Sequence, residues 1–204
     1  MDSLGQFKRR LTQDDLEYMN VPEDLWRVKI DGVPESVRPV VEKYLLNFRT
    51  MAARGAGLVL GGQSGVGKSA IAALILKEAR SLGYTSYFGV IWEVRECVRN
   101  RVMFDDSMTV LDRCREVDVL VLDGVKVEDA AERAFSLREI EDLLSVRCLR
   151  KRVSIITTRL SDKDYLNKTG SLALTVRGSM MYLKVEGPDK REQQDQDLCK
   201  VILG

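Results

Sequence analysis

The sequence predicts an α/β fold, a five-stranded parallel sheet with helices packed on both faces, and three observations predict it. The apolar run GLVLGG (57–62) leads straight into the glycine-rich stretch GGQSGVGKSA, Gly61 to Ala70, which opens a strongly apolar helix from Ser69 to Leu82, closed by Gly83. Further strand-length apolar runs recur at VDVLVLD (117–123), VSIITT (153–158) and Met181 to Val185. Between them lie helix-length patterns. Runs that do not alternate with polar residues suit strands covered on both faces, so helices belong on both sides of the sheet.

Each element follows in order. From Leu4 to Leu25 the chain is mixed and weakly helical, with Thr12-x-x-Asp15 as an imperfect capping box. Pro22, Pro34 and Pro39 punctuate the next segment, and Val37, Val40, Val41, Tyr44, Leu45 and Phe48 follow at helical spacing. Residues 1–50 thus read as a lead-in and linker helix, and residues 51–204 as the core. After Gly83, the aromatic-rich run Tyr84 to Ile91 reads as a second strand. Two helical patterns, Trp92 to Arg101 and Asp106 to Arg115, separate it from the third strand, which is more than a minimal crossover needs. A long helix, Asp129 to Leu149, places Ala134, Leu137, Ile140, Leu144 and Cys148 along one stripe. The fourth strand, a polar turn with a short helix around Ser161 to Lys168, and the fifth strand complete the sheet. No full helical lid is expected after Gly187.

Composition narrows the function classes. With 204 residues, 45% hydrophobic and 31% charged, the chain suits one soluble domain with a sizeable core. No apolar run approaches the roughly 18 residues that span a bilayer, and MDSLGQFKRRLTQDD lacks the apolar heart of a secretory signal. A cytoplasmic protein with no membrane partner is expected. There is no histidine, which excludes a histidine-dependent triad or a histidine metal centre. Cys97, Cys114, Cys148 and Cys199 form no C-x-x-C pair and read as reduced thiols. A net charge of +1 supplies no global field for nucleic acid, so any such binding is local.

Two motifs carry chemistry. Gly62-Gln63-Ser64-Gly65-Val66-Gly67-Lys68-Ser69 satisfies G-x-x-x-x-G-K-[ST], and Ala70 continues into the helix. The pattern arises by chance in roughly one chain of this length per hundred, and its strand–loop–helix setting reduces that further. Glycines let consecutive backbone N–H groups face phosphate, and the helix N-terminus adds positive partial charge. Lys68 is placed to reach the β- and γ-phosphates of a nucleotide, and Ser69 to ligate Mg²⁺. The second motif, Val119 to Leu122 ending in Asp123, is a buried strand delivering a carboxylate to the Mg²⁺ hydration shell. Basic residues group twice: Arg95, Arg99 and Arg101 on the inserted helix, and Arg147, Arg150, Lys151 and Arg152 at the end of the long helix. Either group is a candidate contact for nucleic acid; the second equally suits the helix dipole.

The order of these pieces resembles the AAA+ ATPases of the DnaC-like helicase loader and IstB-like transposition-helper group. The resemblance covers Val21 to Arg191 and is carried by VPEDLWRVKIDG, EKYLLNF, GGQSGVGKS, the two-helix insertion, VDVLVLDGV, LLSVRCLRKR, SIITTRLS and VRGSMMYLKVEGPDKR. It implies an AAA+ type P-loop fold, ATP and Mg²⁺ as cofactors, a homo-oligomer, a replicative helicase as partner and single-stranded DNA as ligand. Thr157, Thr158 and Arg159 match the γ-phosphate sensor, with Arg159 where the family usually has Asn. Arg177 matches the arginine finger that enters a neighbouring subunit's site. The family usually follows the Walker-B aspartate with an acidic residue, and Gly124 stands there instead, so nucleotide binding with slow hydrolysis is expected. The alternatives are an IstB-like helper that binds duplex DNA, and an interaction module that holds ATP without hydrolysing it. A small P-loop kinase shares the loop, but its acceptor pocket and arginine-rich lid have no counterpart in the sequence.

Overall fold

All five strands run parallel, in the spatial order second, third, fourth, first and fifth along the chain. The computed structural model describes residues 8–100, 108–125, 130–161 and 178–190. The strands are β1 (Gly57–Gly61), β2 (Ser86–Val90), β3 (Val119–Val125), β4 (Val153–Thr158) and β5 (Met180–Lys184). Every residue of β1 and β4 is buried, the condition the unalternating apolar runs predict. The short helix expected around Ser161 to Lys168 and the expected absence of a lid both fall largely or wholly outside the described residues.

The lead-in holds α1 (Gln13–Tyr18), α2 (Arg38–Leu46) and α3 (Phe48–Arg54); α4 (Lys68–Ser81) follows the glycine loop. Between β2 and β3 stand α5 (Ile91–Asn100) and α6 (Met108–Glu116), the two-helix insertion, and α7 (Ala130–Leu149) precedes β4. Two apolar clusters cover the sheet. One packs α4 through Ile71, Ile75 and Leu76 with Met19, Val41 and Phe48 of the lead-in against one face. The other packs Val94, Leu111, Ile140, Leu143 and Leu144 of α5, α6 and α7 against the opposite face. Each fully buried aliphatic side chain contributes about 1.5–3 kcal/mol, so both layers are needed to offset the ordering of the chain between them.

The lead-in is bound to α4 by charge as well as by packing. Thr12 and Asp15 form a complete capping box, stronger than the sequence pattern suggests. The Asp15 carboxylate also accepts from Arg9 and from Nε and Nη2 of Arg80 on α4, at 3.1 and 3.0 Å for the latter pair. The Arg9 hydrogen bond is the largest of the effects that hold the Asp15 carboxyl well below the usual carboxylate range. Farther along α4, Lys77 Nζ donates to the carbonyls of Leu25, Trp26 and Val28 at 3.3, 2.9 and 2.7 Å. Burial lowers its pKa, and three carbonyl dipoles keep the ammonium solvated.

The basic end of α7 is structural where its side chains are described. Arg147 is 0% exposed. Its guanidinium donates to the carbonyls of Cys114, Val117, Asp118 and Val153 and to Ser154 Oγ, at 2.6–3.3 Å. That one side chain joins the end of α6, the entry to β3 and the start of β4. Arg150 and Arg152 pair with Glu116, and Lys151 takes a left-handed turn at φ 52°.

Two stability predictions follow from these charges. Arg147→Ala strands several buried carbonyls and lowers stability by about 3 kcal/mol or more, whereas Arg150→Ala, at an exposed pair, costs under about 1 kcal/mol. Urea unfolding of both variants measures the gap; equal losses would return Arg147 to the surface. Asp15→Asn lowers the Tm at pH 7 by a few degrees. A carboxylate with a depressed folded pKa stabilises above its unfolded pKa and loses that contribution as pH falls through the folded value. The difference from wild type therefore shrinks as pH drops below about 4, which thermal melts between pH 7 and pH 2.5 detect.

Candidate nucleotide site

The carboxyl ends of β1, β3 and β4 deliver their last residues to one edge of the sheet, and the glycine loop lies across it. The loop runs from the end of β1 to Gly67, which is left-handed at φ 96° and serves as N-cap of α4. Lys68 is buried, and its Nζ donates to the loop's own carbonyls of Gly62, at 2.8 Å, and Gln63. Ser69 Oγ donates to Asp123 Oδ1 at 2.8 Å, and Thr157 Oγ1 donates to the same oxygen at 2.7 Å. Three elements, α4, β3 and β4, thus converge on one carboxylate oxygen.

A cleft of about 700 Å³ opens over this group, large enough for a nucleotide. Ser64, Gly65, Gly67, Lys68, Ser69 and Ala70 line it from the loop side. Asp123, Thr158 and Arg159 line it from the sheet. Gly62, Gln63 and Val66 border a second cavity of about 410 Å³ on the other side of the loop, with Arg159 at both. Arg159 Nη2 donates to Ser64 Oγ at 3.2 Å, placing a guanidinium between the end of β4 and the loop. Thr158 is buried and its Oγ1 accepts from Leu160 N–H at 3.2 Å, so it is Thr157 that reaches Asp123. Arg177 lies outside the described residues.

Gly124 has a backbone reason to be glycine. The β3–β4 register shifts between Leu122 and Val125, a bulge in which Gly124 adopts φ 82° and donates its N–H to Thr157 Oγ1 at 2.8 Å. Thr157 thereby binds the residue after Asp123 as well as Asp123 itself. Among the described residues a Cβ on Gly124 would meet Ile91 Cγ2 alone, at 3.7 Å, so the obstacle they present to a side chain there is the φ angle, not space.

The donors fit Mg²⁺ and a nucleotide. A hydroxyl and a carboxylate within hydrogen-bond distance form a hard-oxygen pair of the kind Mg²⁺ prefers, and the loop brings backbone N–H groups, a helix N-terminus and a buried ammonium to the same cleft. Sequence reasoning missed two parts of the wall. The lead-in contributes Pro22, Leu25, Val28 and Gly32, and the segment after β5 contributes Lys190. Lys190 N–H donates to Gly65 O at 3.1 Å, and Asp189 packs so closely that a Cβ on Gly65 would fall 1.7 Å from its Oδ1. Neither segment carries a phosphate-binding pattern; only the fold brings them to the loop.

Gly65, at φ 78°, is required by both angle and space. Gly65→Ala should lower stability by about 1–3 kcal/mol and weaken nucleotide binding with it. Gly83, at φ 94° with no atom of the described residues within 4 Å of an added Cβ, is the control: Gly83→Ala costs stability alone. Thermal melts paired with fluorescent-nucleotide titrations separate the two, and unaltered nucleotide binding by Gly65→Ala would contradict this account of the loop.

Searches with the sequence against protein-family models and against curated proteins return no match. Solved structures do match. The DnaC helicase loader is 20% identical with a TM-score of 0.70, over 81% of this chain and 100% of that one. DnaI is 16% identical with a TM-score of 0.69, over 82% of this chain and 96% of that one. The replication initiator DnaA bound to AMPPCP and single-stranded DNA is 16% identical with a TM-score of 0.65, over 86% of this chain and 55% of that one. At these identities the likeness is one of fold: a five-stranded parallel sheet flanked by helices, as in DnaC, DnaI and DnaA.

Proposed function

We propose that this chain is an ATP-binding helicase loader acting in DNA replication. The observation that carries the proposal is an intact loop–Ser69–Asp123 constellation set in a fold shared with DnaC and DnaI over nearly their whole lengths. ATP binds through the loop, Lys68 and the N-terminus of α4. Ser69 and Asp123 hold Mg²⁺, which when bound neutralises charge on the phosphates. Arg159, already hydrogen-bonded to Ser64, is the residue that reads the γ-phosphate in place of the family's asparagine. Arg177 serves the neighbouring subunit's site in a homo-oligomer.

Hydrolysis is slow in this reading because Gly124 offers no carboxylate to orient or deprotonate water, so turnover falls below the usual range of about 1 to 1,000 per second. Single-stranded DNA is met by the inserted helices. Trp92 at the start of α5 is 62% exposed, while Tyr87 and Phe88 of β2 are buried, so among these rings Trp92 is the one available for a base to stack on, and Arg95 and Arg99 follow it on the same helix. Gly124 also favours a second reading, an ATP-held interaction module without turnover.

The deciding experiment mixes the chain with its host's replicative helicase and with single- and double-stranded DNA, with and without ATP, and measures complex mass by light scattering. ATP-dependent assembly with helicase and single strands is expected, lost in Lys68→Ala. Assembly indifferent to ATP would overturn the loader reading, and preference for duplex DNA would favour the transposition helper. Brisk ATP turnover by wild type, abolished by Lys68→Ala, would overturn the slow-hydrolysis part alone.

A further inference from the structure

The segment that follows β5 returns to the glycine loop and brings there Lys190, whose charge no carboxylate among the described residues answers. After Gly187 and Pro188, Asp189 packs on Gly65 and Lys190 N–H donates to Gly65 O at 3.1 Å. Lys190 Nζ donates to Gly32 O of the lead-in, and a Cβ built on Gly67 would stand 3.8 Å from that Nζ. The side chain is half-buried and lines the cleft that also holds Ser64, Lys68 and Ser69. Among the described residues Lys190 forms no salt bridge, and its ammonium is answered by one neutral carbonyl. A half-buried ammonium with a single carbonyl partner has two N–H donors and most of its Coulombic attraction left for an anion.

We propose that Lys190 is a second phosphate-binding lysine: its ammonium contacts a phosphate oxygen of the nucleoside di- or triphosphate held by the glycine loop. The proposal rests on the reading of that loop as a nucleotide site and adds to it a residue from the segment after β5. Lysine suits the task as a compact point charge on a flexible stem, able to turn from Gly32 O toward a phosphate. The main-chain bond to Gly65 fixes where that stem begins relative to the loop. Engagement of a phosphate would also draw together the lead-in at Gly32, the loop at Gly65 and the segment after β5, linking nucleotide occupancy to two elements outside the P-loop.

Lys190→Gln and Lys190→Arg, made in the full chain, test this. A glutamine amide can still donate to Gly32 O, so a purely structural tether survives in Lys190→Gln while the charge does not. Fluorescent ADP and ATP are titrated at low and high salt, with melting temperatures recorded without nucleotide. The expected result is about ten-fold weaker binding by Lys190→Gln with a shallower salt dependence, near-wild-type binding by Lys190→Arg, and nucleotide-free melting close to wild type for both. Wild-type affinity and salt dependence in Lys190→Gln would overturn the proposal, as would equal weakening by both variants. Wild type that binds neither nucleotide would instead overturn the nucleotide reading of the loop itself.

Discussion

A parallel sheet buried on both faces leaves its chain only two exposed edges, and everything else in this protein depends on that constraint. With α4 and the lead-in on one face and α5, α6 and α7 on the other, the polar groups of the sheet itself gather where strands begin or end. The two edges are used differently. At the edge where β3 and β4 begin, Arg147 is spent entirely on carbonyls and one hydroxyl, a cation buried as a structural tie. At the edge where β1, β3 and β4 end, Ser69, Asp123, Thr157 and Arg159 remain at the wall of an open cleft. The contrast is one of burial and partners, not of residue type.

The site is over-determined at its centre and adjustable at its rim. Asp123 Oδ1 is gripped by hydroxyls from α4 and β4, and Thr157 also takes the N–H of Gly124, so the bulge that places Asp123 is held from both neighbouring elements. A fixed carboxylate is what metal ligation requires, because a ligand held in place loses little entropy on binding. Two of the cations around it, Arg159 and Lys190, instead donate to a hydroxyl and a carbonyl oxygen, contacts that an anionic ligand can replace. The lead-in closes one wall because Lys77 and Asp15 bind it to α4 through charge-assisted contacts.

Gly124 shows two causes acting at one position. Read as chemistry, it is a missing carboxylate; in the fold it is the left-handed residue of a β-bulge whose N–H supports Thr157. The second cause does not cancel the first, since a glycine still offers water no base. It does explain why the position tolerates glycine without loss of order.

The sequence by itself determined the sheet, its parallel sense and the phosphate loop, because unalternating apolar runs, a helix-opening glycine motif and a strand ending in Asp123 are local patterns, each enforced by backbone geometry within a few residues. It also marked the two-helix insertion by length and periodicity. Only the tertiary structure decided that Arg147 is buried while Arg159 reaches the loop, though both are arginines beside a strand, because burial is settled by which elements pack above a residue. It likewise brought Gly32 and Lys190 together over Gly65: the two segments are far apart in sequence and carry no motif, and their meeting depends on β5 pairing beside β1 at the far end of the strand order.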